Sequence, residues 1–192
     1  MIHETIITTR NQDGTTHIAP MGVHTYEEGW IIAPFKPSTT LQNLQRDRCA
    51  VINMTDDVRV FAGCLTGRYD WPVKPAEKVD GFVLEQALAH IEVEVTSMED
   101  DEQRPRFYCR AVFEANHAPY PGFNRARAAV IEAAILVSRL RMLDDEKIDR
   151  ELAYLNIAIE KTAGEHEHLA WNWLMEKVDA YRKERRAIEE QL

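Results

Sequence analysis

The sequence predicts an α+β protein: a β-rich domain of six or so mainly antiparallel strands, followed by three helices. Two observations carry this. Up to about residue 118 the apolar residues fall in short runs, rich in β-branched side chains and separated by turn signals. From Phe123 onward the apolar spacing becomes helical and stays so. The domain division follows, with residues 1–120 as the β domain and 121–192 as the helical one. No internal repeat or low-complexity segment interrupts either part.

Residues 2–9 favour a pleated strand because of their β-branched side chains. Asn11-Gln12-Asp13-Gly14 follows, and its Asp-Gly pair signals a turn. The next strand covers 15–26, so the first two should pair as a hairpin. Within it, Pro20 cannot donate to a ladder hydrogen bond and Gly22 brings no side chain. The pair predicts an interrupted ladder where another group approaches the backbone. Glu27-Glu28-Gly29 turns the chain into a third strand, 30–35.

Pro34 and Pro37 keep Phe35 and Lys36 extended. Ser38 or Thr39 then caps a short helix reaching about Asp47, with Leu41 and Leu44 inward and Gln42, Gln45 and Arg46 in water. Residues 49–54 are apolar apart from Asn53, which suits a central strand. Residues 58–65 suit strand or helix. Residues 68–81 hold two prolines, Tyr69 and Trp71 without a clear period, and read as a long surface excursion that is either a lid or plain surface. The I-E-V-E-V alternation within 87–96 suits a half-exposed strand. An acidic turn, Glu99-Asp100-Asp101-Glu102, leads to its partner at 106–115, and the exposed face of this hairpin should carry the charges.

In the helical part, Val130, Ala133, Val137 and Leu140 share one face, while Ile131, Ile135 and Met142 populate a second. Such a helix packs between layers or against another subunit. Asp144 is placed to cap the next helix, whose stripe is Ile148, Leu152, Leu155 and Ile159, and Gly164 to end it in a left-handed conformation. The last helix, about 165–187, should bury Trp171, Leu174 and Val178 and run into a polar tail over 182–191.

Bulk properties narrow the function. A formal charge of −9 argues against a nucleic-acid surface but leaves room for a local basic pocket. No apolar run approaches about 18 residues, so no transmembrane helix is expected. The N-terminus lacks the basic start and apolar core of a signal peptide, and a cytoplasmic protein is expected. Cys49, Cys64 and Cys109 are odd in number and widely spaced, which suits buried free thiols rather than a disulfide framework or zinc site.

The chemistry concentrates between Ile18 and Asn53. A helix start offers unpaired N–H groups and a partial positive charge, and Ser38, Thr39 and Thr40 fall there with Lys36 just before them. This is an anion cradle suited to a phosphate; the same residues equally suit an ordinary capped helix. A strand carrying P-M-G-V, a strand ending in P-F, and a hydroxyl-rich turn into T-x-x-N-L together resemble the FMN-binding split-barrel proteins. More narrowly, the chain is similar to the domain-of-unknown-function 447 family. A-V-I-N-M-T-D-D-V and G-F-N-R-A-R-A-A-V-I-E-A-A-I resemble later segments of that family, in the same order.

The resemblance implies an antiparallel split β-barrel of flavin-reductase type with a small C-terminal helical domain. It implies FMN as cofactor and a homodimer with FMN near the subunit interface. Ala19, Pro20, Met21, Gly22 and Val23 would line the isoalloxazine, and Ser38, Thr39 and Thr40 would hold the phosphate, with Lys36 as a further phosphate partner. Asn43 would bond phosphate or ribityl, and Asn53 and Thr55 would lie close to the ring. The expected function is an FMN oxidoreductase acting on a small molecule. The alternatives are a flavin carrier or sensor without turnover, and a cofactor-free structural dimer.

Three other groupings carry less. His166 and His168 are two apart and fall on different helix faces, so a charged first turn competes with a metal site. His17 and His24 flank the flavin-like strand, as proton donors or as plain strand residues. Arg125 and Glu132 share a helix face, either as a solvated pair or toward a partner. No Gly-x-Gly-x-x-Gly or Walker loop is present.

Overall fold

The structure is a computed structural model that describes residues 1–27 and 29–189. Glu28 of the predicted turn and the last residues of the predicted tail lie outside the described residues. The chain divides into two compact units: Met1–Asp56 with Asp70–Tyr120, and Asp57–Tyr69 with Pro121–Leu192.

The first unit is a closed, six-stranded antiparallel barrel. Its strands are β1 (Ile2–Arg10), β2 (Thr16–Tyr26), β3 (Gly29–Ile32), β4 (Cys49–Met54), β7 (Ala89–Glu99) and β8 (Arg106–Asn116), in the order β1-β2-β3-β8-β7-β4. Between β3 and β4 lies helix α1 (Thr39–Asp47). The period of two decides what fills the barrel. Ile7 lies opposite Ala19 on one side and Ile52 on the other. Ile7, Val23, Ile32, Ile52, Val93 and Phe107 meet in one core, into which α1 inserts Leu41 and Leu44.

The barrel closes, but the β2–β3 pairing is short and leaves part of one edge of β2 uncovered. β1 and β2 pair without a register shift from Ile2↔His24 to Arg10↔Thr16, through Pro20 and Gly22. The predicted interruption of that ladder is therefore absent. The physical reason lies on the other edge, where β3 pairs with β2 only from Val23 to Tyr26. From Thr16 to Gly22 the far edge of β2 has no strand partner, so the N–H that proline lacks is not needed there.

On its other edge β3 meets β8 closely through a glycine. A Cβ at Gly29 would stand 2.2 Å from the carbonyl oxygen of Cys109 on the neighbouring β8. Gly29→Ala is expected to separate β3 from β8 and lower the unfolding free energy by about 3 kcal/mol, read by urea denaturation. A loss below about 1 kcal/mol would mean that the two strands can part at little cost.

The excursion predicted over residues 68–81 is not wholly irregular: it contains β5 (Val73–Pro75), which pairs with β6 (Phe82–Leu84) just beyond it to form a small ribbon. The ribbon is pinned to the outer face of β1 and β4. Thr8 Oγ1 donates to the Phe82 carbonyl at 2.5 Å, and the Leu84 N–H donates to Asn53 Oδ1 at 2.8 Å.

The second unit holds α2 (Val58–Leu65), α3 (Arg125–Val137), α4 (Asp145–Thr162) and α5 (Glu165–Glu189). α2 resolves the strand-or-helix ambiguity: Asp57 caps it, and Val58 and Ala62 pack in one core with Ala126, Val130, Ile148 and Leu174. The segment 57–69, assigned to the β domain from sequence, therefore clusters with the later helices. Alanines at 126, 129, 133 and 134 let neighbouring helices approach α3 closely.

α3 ends at Val137, and Met142 of its predicted second face sits exposed in a 3-10 turn, Leu140–Met142. Gly164 has no positive φ. α4 instead ends in extended backbone at Ala163, and the Gly164 N–H donates to Glu167 Oε2 at 2.9 Å. Trp171, Leu174 and Val178 are buried as expected.

Candidate functional site

The start of α1 and the open edge of β2 form two neighbouring walls. Ser38 is extended (φ −155°, ψ 155°), and its Oγ accepts from the Leu41 N–H at 3.2 Å. That capping bond leaves the N–H groups of Thr39 and Thr40 without an acceptor among the described residues. Thr39 is exposed, whereas Thr40 is buried on the same helix face as Leu44. Thr40 Oγ1 lies 3.1 Å from His17 Nε2, and this contact joins α1 to β2. Burial holds the His17 imidazole below its ordinary pKa and favours the neutral ring. Removing a charge suits a site next to a positive helix end.

Along β2 the strand period sorts the predicted residues. Met21 and Val23 pack on the barrel core, so they offer a ligand backbone rather than side chain. The Met21 carbonyl already accepts from Thr5 Oγ1 at 2.9 Å. Ala19, Pro20 and Gly22 are half-buried along the edge that β3 leaves uncovered. These three residues, Ser38, Thr39 and the two unpaired N–H groups are the parts with capacity left for a ligand.

The remaining predicted residues are bound internally. Asn43 is buried; its amide donates to Thr9 Oγ1 (3.0 Å) and Asn11 Oδ1 (3.1 Å), and its Oδ1 accepts from Arg46 (3.1 Å). Asn53 is fully buried and donates to Thr8 Oγ1 at 3.1 Å and the Ile6 carbonyl at 3.0 Å. Thr55 Oγ1 donates to the Gln86 carbonyl at 3.0 Å. Lys36 Nζ lies 2.5 Å from Asp100 at the tip of the β7–β8 hairpin, and the Lys36 N–H donates to the Gln103 carbonyl. The ammonium is thus tied to the hairpin.

Two groupings escaped the sequence reading. The first is Glu92, one of the glutamates of I-E-V-E-V expected on an exposed face. It is 0% exposed, because the ribbon segment covers it. Its carboxylate accepts from the N–H groups of Glu77 (2.7 Å), Lys78 (2.6 Å) and Val79 (3.0 Å), and from His90 Nε2 at 3.2 Å. His90 Nδ1 in turn lies 2.8 Å from His117 Nε2. Burial opposes the charge on Glu92, but the three backbone donors and His90 outweigh it and hold the carboxyl below its ordinary pKa. No local pattern announces this, since the donors lie 13 to 15 residues earlier.

The second is a cleft of about 330 Å³ lined by His24, Ile31, Ala33, Asp101, Arg104 and Arg106. It lies beyond the segment that leads to Ser38. Elsewhere, burial pushes the Cys64 and Cys109 thiols up to about 12, so they are inert packing residues. Glu167 of the histidine-rich turn pairs with Arg127 at 2.9 Å and caps Gly164, a structural use.

Comparison with known proteins gives a consistent picture. The model described as "Protein of unknown function (DUF447) N-terminal domain" matches residues 3–118, and the second DUF447 model matches 124–176. Among solved structures, the FMN-bound DUF447 protein MM1853 of Methanosarcina mazei aligns with a TM-score of 0.79 at 21% identity, over 92% of this chain and 94% of that one. Flavoredoxin of Desulfovibrio vulgaris aligns at 0.53 and 12% identity, over 60% of this chain and 70% of its own. The 2-nitrobenzoate 2-nitroreductase NbaA of Pseudomonas fluorescens aligns at 0.52 and 18%, over 59% and 64%. The shared part is a flavin-reductase-like split barrel. No curated protein matches the chain.

Proposed function

The chain belongs to the DUF447 family, and from that premise we propose that it is an FMN-binding flavoprotein acting as an oxidoreductase on a small molecule. The observation that carries the reading is the pairing of two unsatisfied backbone surfaces. The uncovered edge of β2 at Ala19–Gly22 suits the polar rim of an isoalloxazine. The free N–H groups of Thr39 and Thr40, with the Thr39 hydroxyl and the Ser38 turn, suit its phosphate. A flavin, when bound, supplies hydride and electron transfer. The chain's own residues then bind, orient and exclude water, which matches a site without an obvious acid–base pair. Asn43, Asn53 and Thr55 support the walls from behind through their internal bonds.

No helix among the described residues is long and apolar enough to cross a membrane. We place the protein in the cytoplasm as a homodimer with FMN near the subunit interface, which light scattering on the purified chain measures. The cofactor reading is tested by the absorbance of purified protein. Flavin bands are expected, with FMN released on denaturation at about one per chain. A colourless protein that takes up no added FMN would refute it. Stopped-flow reduction by nicotinamide cofactors or reduced deazaflavin then separates an enzyme from a carrier.

A further inference from the structure

The cleft beside β3 holds a guanidinium that is fixed in place yet lacks a counter-ion. Arg104 donates through Nε (3.0 Å) and one Nη (2.8 Å) to the Ala33 carbonyl, and its Cζ stands 4.5 Å from the centre of the Phe35 ring. These contacts hold the planar fork in one orientation. Its other Nη has no acceptor, and no carboxylate pairs with it among the described residues. Arg106 lines the same cleft, with a long contact of 3.8 Å to the exposed Glu99 and a through-space attraction to Asp101. The one carboxylate in the lining, Asp101, is occupied by the N–H groups of Gln103 (2.9 Å) and Arg104 (2.7 Å). Those bonds keep it ionised, well below the usual carboxylate range. Asp101 and Glu99 both lie against Arg106, so the Arg104 guanidinium is the charge in the lining left without a carboxylate, on a chain whose net charge is −9. Ile31, Ala33 and the 58%-exposed Phe35 ring supply apolar surface beside the charge.

We propose that this cleft is a second anion site, distinct from the Ser38–Thr40 turn, which takes the phosphate group of a small molecule. A planar, preoriented guanidinium recognises phosphate in two-pronged fashion, and a second one nearby raises affinity for a doubly charged group. At about 330 Å³ the cleft holds one end of a nucleotide-sized molecule rather than all of it. Its role as the docking point of the reductant or substrate rests on the flavoprotein reading; its ability to bind phosphate does not. The link is covalent continuity: Ala33, which pins Arg104, stands one residue before Pro34 on the segment that runs into the α1 turn.

The test is calorimetric titration of the full chain with inorganic pyrophosphate, with and without added FMN. Saturable one-to-one binding is expected in both, weakening with salt. Arg104→Gln should weaken it at least about tenfold, and Arg106→Gln about threefold to tenfold. Because Arg104 also anchors Ala33, the exposed-rim variant Arg106→Gln keeps the test readable if Arg104→Gln folds poorly. FMN retention should be unchanged in Arg106→Gln. No pyrophosphate binding by the wild-type chain, or equal binding in both variants, would overturn the proposal. So would stoichiometric displacement of FMN by pyrophosphate, which would make the cleft the flavin's own phosphate site. Loss of self-association in Arg106→Gln without pyrophosphate binding would assign the cleft to a carboxylate of a second copy. A chain that binds pyrophosphate but no FMN would refute the flavin reading and leave the anion site standing.

Discussion

Glu92→Ala should lower the free energy of unfolding by about 3–5 kcal/mol, read by urea denaturation at neutral pH. The carboxylate is fully buried and serves three backbone N–H groups and His90, so its removal strands four donors at once. Glu92→Gln keeps the volume but points an amide donor into a nest of donors, and should be nearly as costly. A loss below about 1 kcal/mol for either variant would show that the 77–79 segment opens to water freely. The pH dependence has a definite sign. Glu92 is held below its ordinary value, so the unfolded chain binds this proton more tightly than the folded one. The stabilisation is complete above the unfolded carboxyl pKa of about 4.3 and is lost progressively below it, as pH falls through the lower folded pKa. His17, with its folded pKa lowered by burial, adds a loss that begins earlier, as pH drops below about 6.5. Glu92→Ala should flatten the acid limb and leave the earlier one.

Replacing Thr39 and Thr40 together by alanine should weaken FMN binding by more than about tenfold, as loss of the Thr39 hydroxyl bond to phosphate and of the Thr40–His17 contact that positions the turn, at about 1–2 kcal/mol each, would require. The two hydroxyls differ in what they already do. Thr40 is bound to His17, while Thr39 is exposed and uncommitted, so Thr39→Ala alone should account for most of the direct loss. Lys36→Ala should change the dissociation constant less than about threefold, because Asp100 holds its ammonium at the surface. Fluorescence quenching of added FMN measures all three. An unchanged affinity in the double variant would put the phosphate somewhere other than the α1 turn.

How much of this was legible in the sequence depended on the range of the forces involved. A cap of α1 at Ser38 or Thr39, the inward Leu41 and Leu44, and the Asp13-Gly14 turn follow from chemistry within a few residues, and each appears in place, with Ser38 as the cap. Strand periodicity placed the barrel strands to within a few residues. What it could not supply was the partner of each edge. Pro20 and Gly22 predicted an interrupted ladder, but the β1 ladder is intact and the edge without a strand partner is the β3 side of β2. Gly164 looked like a left-handed helix end, yet Glu167 draws it into an extended turn. Glu92 and Arg104 were invisible for one reason: their partners, residues 77–79 and Ala33, are distant in sequence, and nothing beside them in the chain differs from a solvated charge. The internal commitments of Asn43 and Asn53 were hidden likewise, since an amide that braces a wall looks, in sequence, like one that meets a ligand.

The closing seam of the barrel also has a consequence in time. Trp30 pairs with Cys109, so β3 waits for a strand made long after it, while β1, β2 and β4 need only nearer neighbours. Joining ends so far apart costs loop entropy before any contact rewards it, so this pairing is expected to form late in assembly. During synthesis the hairpin of β1 and β2 forms early, and the edge of β3 stays uncovered until residues 106–116 leave the ribosome. The absence of a side chain at Gly29 then leaves the room that the Cys109 carbonyl of the last strand needs.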